Sequence, residues 1–156
     1  MDEITVTVRT LQDDCDAKPY LRVEVEIGDY LPINYDQDGL GVDLVELAKT
    51  LDTDGEFFII TCSCGDPGCA GINEGVHVTR DEHILRWRIR DRGKGTEPER
   101  HFAFDADAYK TAVKQGIIQF MQLYDGNPGI GTAPYLLRDR IESAKEQNML
   151  EKWLAA

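Results

Sequence analysis

The chain has 156 residues, 42% hydrophobic and 29% charged, with 17 Lys+Arg against 29 Asp+Glu and a net charge of −12. That length and mix suit one globular domain spanning 1–156 that buries its own core. The acidic balance argues against nucleic acid as a partner, since a binder must neutralise phosphates, and against a basic membrane-surface protein. No apolar run approaches the roughly 18 residues of a membrane span.

Residues 3–9 alternate, with Ile4, Val6 and Val8 on one face, and read as a half-buried strand. Residues 10–18, with Asp13, Asp14 and Asp16, read as a loop. Residues 20–27 alternate again, Leu21, Val23, Val25 and Ile27 inward and Arg22, Glu24 and Glu26 outward, so the two strands pair antiparallel. A turn-rich stretch over 28–41 leads to a helix at 42–51, capped by Asp43, with Leu44, Leu47, Ala48 and Leu51 at helical spacing. Residues 56–62 are apolar on both faces and read as a central strand.

After a cysteine-rich turn, Val76 and Val78 mark a strand over 71–79, and residues 84–90 place Leu85, Trp87 and Ile89 opposite Arg86, Arg88 and Arg90. The arginine row faces the wet side, where cross-strand pairs with Glu24 and Glu26 contribute roughly 0.2–1 kcal/mol each. A short strand at 101–104 precedes a helix at 106–124, capped by Asp105, with Gly116 inside its apolar stripe. That glycine either costs about 1 kcal/mol against alanine or admits a close neighbour. The breaker-rich stretch 125–134 reads as a loop, and Pro134 opens a last helix over 135–154 that ends in Trp153 and Leu154. The fold class is therefore α+β, a mainly antiparallel sheet of five to six strands with two to three helices on one face.

The sharpest chemical signal is Cys62-Ser63-Cys64-Gly65-Asp66-Pro67-Gly68-Cys69, which holds three of the four cysteines. Asp66-Pro67-Gly68-Cys69 fits a type II turn. In a regular hairpin about that turn all three thiols face one way, as a soft-metal site needs. Cys62 and Cys69 would still lie roughly 13 Å apart along it. Zinc, with sulfur at about 2.3 Å, therefore requires the turn to fold over, which Gly65, Gly68 and Gly71 permit. A fourth ligand would have to come from Cys15, Asp66, His83 or His101 through the tertiary fold, since His77 sits too far along the hairpin. The alternatives are a reactive thiol pair or reduced cysteines packing a tight turn.

The stretch from an apolar strand (Phe57–Thr61) through a Cys-x-Cys-Gly-x-x-Gly-Cys-Ala-Gly turn (Cys62–Gly71) to Trp87 resembles a type found in uncharacterised small bacterial proteins. The resemblance covers about a fifth of the chain. It implies a bacterial, cytoplasmic protein and brings no activity or catalytic residue with it. The Cys-x-Cys-Gly opening also resembles the zinc tail of the SecA translocase, but Cys69-Ala70 departs from that pattern and nothing is carried over.

A second signal, Asn34-Tyr35-Asp36-Gln37-Asp38-Gly39, opens like an EF-hand calcium loop. The position that should hold the bidentate Glu is Val45, so an ordinary Asp-Gly turn explains Asp36 and Asp38 as well. Catalysis finds little: Ser63 and Ser143, the only serines, sit in no nucleophile motif, and the glycines at 126, 129 and 131 lack the Gly-Lys-Ser/Thr of a phosphate loop. Residues 1–60 carry 15 acids and 4 bases, so the net charge of the whole chain sits almost wholly there. The first expectation is a cytoplasmic, non-enzymatic interaction domain that meets a protein partner or self-associates. The second is a zinc-binding protein using Cys62, Cys64 and Cys69. The third is an enzyme that holds an anionic substrate on Arg86, Arg88 and Arg90.

Overall fold

The computed structural model describes residues 1–12, 18–33, 39–91, 93 and 98–156. In chain order the elements are β1 (Ile4–Leu11), β2 (Tyr20–Ile27), β3 (Leu40–Val42), α1 (Leu44–Lys49), β4 (Gly55–Phe57), β5 (Ile60–Cys62), a 3-10 turn (Gly68–Ala70), β6 (Val76–Arg80), β7 (Ile84–Ile89), β8 (Arg100–Asp105), α2 (Ala106–Asp125), β9 (Gly131–Ala133), α3 (Leu137–Glu146) and α4 (Met149–Ala155). The fold is α+β, with helices packed against mostly antiparallel strands.

The alternating strands pair as their patterns demand. Val6 faces Val25 and Val8 faces Val23 across the β1–β2 ladder, so both inward rows fall on one side. β9 adds to the other edge of β2, in parallel. A second sheet runs β4-β6-β7-β8, antiparallel throughout. Asp2 stitches the two together: its N–H donates to the Ala103 carbonyl and its carboxylate accepts from the Ala103 N–H, both at 2.9 Å. β3 and β5 form a separate two-stranded ladder.

α2 lies over β1, β2, β7 and β8 and buries Tyr109, Val113, Ile117, Phe120 and Tyr124. Gly116 is explained by close approach, because a Cβ there would sit 2.4 Å from Val6 Cγ1. Buried hydroxyls are paired in a short chain. Trp87 Nε1 donates to the Tyr109 hydroxyl, which meets Thr50 Oγ1 at 2.7 Å, and Thr50 donates to the Leu47 carbonyl. Those bonds tie β7, α2 and α1 at no cost in orphaned polar groups. Asp43 and Asp105 cap α1 and α2, as the sequence indicates.

Four expectations are corrected. The single strand over 56–62 is two, β4 and β5, separated at Phe58-Ile59 and paired into different ladders. Its two apolar faces belong to two strands that serve different sheets. The turn-rich stretch before α1 contains β3, and the glycine-rich 125–134 stretch contains β9; with these the described residues hold nine strands instead of five to six. The last helix begins at Leu137 instead of near Pro134 and breaks at Asn148, whose φ of 56° is left-handed, to give α3 and α4. Trp153 at the end is 1% exposed and belongs to the chain's own core, while Leu154 stays partly exposed.

Candidate metal centre

β5 delivers Cys62 to the surface, and the chain then folds back on itself. Gly65 N–H donates to the Cys62 carbonyl at 2.9 Å, and Cys62 N–H donates to the Asp66 carbonyl at 3.3 Å. Gly65 takes φ +110°, outside the range of ordinary side chains. The expected type II turn is replaced. Pro67 (φ −61°, ψ −35°) leads into the 3-10 turn, and the positive φ falls on Gly71 (75°) instead of Gly68. The Asp66 carboxylate accepts from Gly68 N–H at 2.9 Å and holds the entry to that turn.

The consequence is that the sulfurs of Cys62, Cys64 and Cys69 all lie within 4.8 Å of one another. A regular hairpin would have kept the outer pair roughly 13 Å apart. Zinc–sulfur bonds of about 2.3 Å demand sulfurs about 3.8 Å apart in a tetrahedral set, so small rotations complete the approach. The three lie close enough to bind a metal. Cys69 is exposed and the other two are half-buried, so the cluster opens to solvent.

Hydrogen bonds favour the anionic form of Cys62. The backbone N–H of Cys64 holds the Cys62 thiol below its usual pKa, working against the smaller effect of burial, with further bonds from the Cys69, Cys64 and Ser63 side chains. Asp66 N–H donates to Cys64 Sγ at 3.5 Å. Cys69 is pushed the other way, to about 11, by the bonds it makes to the sulfurs of Cys62 and Cys64 and by their charge. Three thiols this close resist losing all their protons unless a cation takes the protons' place.

Among the described residues no histidine or carboxylate joins the sulfur group. His77 bonds Glu74 at 2.6 Å, His83 lies beside Glu82, and His101 lies beside Glu99. Cys15, Asp36 and Asp38 lie outside the described residues. Of the acids that follow the calcium-like stretch, Asp43 caps α1 and pairs with Arg140, and Glu46 accepts from Phe58 N–H and pairs with Lys49.

The arginine row does lie on one face of β7, but its partners are not Glu24 and Glu26. Arg86 pairs with Asp81, Arg88 with Glu99, and Arg90 with Glu74 and Glu99. Glu24 instead pairs with Arg9 and Arg22 on its own sheet. β1 and β2 join the second sheet next to β8, with β8 standing between them and β7, so the two rows never face each other.

How the cysteine loop docks has no signal in the local residue pattern. Ser63 N–H donates to the Gly39 carbonyl, Tyr135 N–H to the Ser63 carbonyl, and Leu136 N–H to the Cys64 carbonyl, the last two at 2.8 Å. The loop thereby forms part of the wall of a groove of about 980 Å³, whose lining includes Tyr20, Leu40, Ser63, Gly131, Pro134 and Arg138. Tyr135 at its rim is 75% exposed. No helix among the described residues is long and apolar enough to cross a membrane. Comparison of the chain with protein-family models, with curated proteins and with solved structures finds no match.

Proposed function

We propose that this protein is a metal-binding domain that holds a thiophilic divalent cation, zinc, on Cys62, Cys64 and Cys69. One observation carries the reading: three sulfurs from one short loop lie within 4.8 Å of one another. Soft thiolate donors select zinc among the common divalent ions, and backbone N–H groups aimed at sulfur stabilise the deprotonated form that a metal needs. Three ligands leave a fourth position for water or another donor.

The interaction-domain reading fits alongside it. The metal loop is hydrogen-bonded to the segment that starts α3, and that segment lines the groove. A bound ion therefore holds the wall against which a protein partner or second copy would rest.

The test is elemental analysis of protein purified without chelator or affinity metal, followed by melting of wild type and Cys64→Ala with and without chelator. About one zinc per chain is expected. Cys64→Ala should lose the zinc and about 2 kcal/mol or more of stability, a fall of roughly 4–8 °C in Tm. The two proteins should melt alike once chelator is present. Metal-free wild type with all thiols titratable, or a mutant that melts like wild type without chelator, overturns the reading.

A further inference from the structure

We infer that the cysteine loop is a redox-gated centre, in which hydrogen peroxide oxidises two of the three ligand cysteines to a disulfide and so expels the ion. The inference rests on the metal reading above and adds a regulation to it. Three features of the loop lead here. The sulfurs are already close: within 4.8 Å, against about 2.05 Å in a disulfide. Cys69 is exposed, so the oxidant reaches one sulfur without any opening of the fold. The backbone between the sulfurs is a tight turn with glycines at 65 and 68 and a single short 3-10 segment, so few residues separate the sulfurs that would join.

The chemistry closes on itself. With the ion standing in place of its proton, the Cys69 thiolate attacks one peroxide oxygen; an S–O bond forms, the O–O bond breaks, and hydroxide leaves with a proton as water. The sulfur of Cys62 or Cys64 then attacks the Cys69 sulfenic acid; the S–S bond forms, the S–O bond breaks, and the second water leaves. Two thiolates, one peroxide and two protons give one disulfide and two waters, with two electrons passing from sulfur to oxygen. Disulfide sulfurs carry no negative charge and are poor zinc donors. One remaining thiolate does not hold the ion against water, so zinc departs, and a dithiol reductant restores the site.

The experiment uses the full zinc-loaded chain, an excess of hydrogen peroxide, and a chromophoric zinc chelator to read release. Zinc release should be at least about tenfold faster than in untreated protein, with a loss of two hydrogens in intact mass. The tryptic peptide spanning residues 50–80, which contains all three cysteines, should carry that loss, and Cys15 falls in a different peptide. Dithiothreitol and zinc should return the starting mass and metal content. Zinc that stays bound through the peroxide challenge, or leaves only with added sulfinic or sulfonic oxygens, overturns the gate and leaves the metal reading intact. A disulfide joining Cys15 to the loop overturns the assignment of partners. Protein that takes up no zinc overturns the metal reading, and the gate with it. In the zinc-free protein, Cys69→Ser should slow the peroxide-driven loss of two hydrogens in the 50–80 peptide, because one of the two bonding sulfurs is gone; an unchanged rate would exclude Cys69 from the disulfide.

Discussion

Two glycines in the cysteine loop make opposite demands. Gly65 sits at φ +110°, and a Cβ there would lie 2.7 Å from Leu136 Cβ. Gly68 has no positive φ, and its added Cβ would meet only Asp66 Oδ1 at 3.3 Å, the end of a side chain that can rotate. Gly65→Ala should therefore cost about 1–3 kcal/mol through backbone strain and overpacking, and weaken zinc in a competition titration because the loop can no longer dock. Gly68→Ala should leave both within about 0.5 kcal/mol of wild type. Equal effects of the two substitutions in chemical denaturation would mean that the loop's shape is not what gathers the sulfurs. The residue types of this site were legible in the chain, and so was the condition for it, a turn that folds over. That it does fold over was not, because beside the local bonds of Gly65 and Cys62 the loop is held by Tyr135 and Leu136, far away in sequence.

At the scale of elements, the long periodic segments were readable and the short ones were not. β1, β2, β7 and α2 each show enough repeats for their period to be unmistakable. β3 and β9 span three residues each, Leu40–Val42 and Gly131–Ala133, too few for alternation to show; the ladders they join are decided by β5 and β2. Helix α1 is short and depends on its cap. Asp43 accepts from Val45 N–H and Glu46 N–H while its other oxygen pairs with Arg140 at 2.9 Å, binding α1 to α3. Asp43→Ala should cost about 1–2 kcal/mol, and Asp43→Asn much less, since asparagine caps nearly as well. Burial raises the Asp43 pKa, and the nearby Arg140 lowers it by less. A carboxyl whose folded pKa lies above its unfolded value gains its proton first in the folded state, so its contribution turns toward stability as pH falls through the folded pKa. The stability difference between wild type and Asp43→Asn, read from urea midpoints, should therefore shift in favour of wild type between neutral pH and the ordinary carboxylate range. A shift the other way would mean that the Arg140 ion pair outweighs burial.

At the scale of the molecule, the cysteine loop bonds to two segments, the residue before β3 and the connection from β9 to α3. Ser63 and Cys64 offer carbonyls to Tyr135 and Leu136, Gly65 packs on Leu136, and Pro134 packs on Gly41 of β3. α3, which starts just beyond, carries Arg140 to Asp43. An ion held by the three sulfurs would therefore act on the chain connection between β9 and α3, not on the sheet that holds the core. Losing such an ion would free the loop, take the acceptors from two amides and loosen one wall of the groove, while Trp87 and Tyr109, packed edge to face between β7 and α2, would stay in place. Local openings of this sort are independent of global unfolding when the core contacts persist. Chelation should thus speed hydrogen exchange at the Tyr135 and Leu136 amides by more than at the β7 and β8 amides, which feel only the loss of global stability. Exchange that rises equally everywhere would make the ion a keystone of the whole fold. Exchange that rises nowhere would detach the groove from the metal loop and leave the cysteines to act alone.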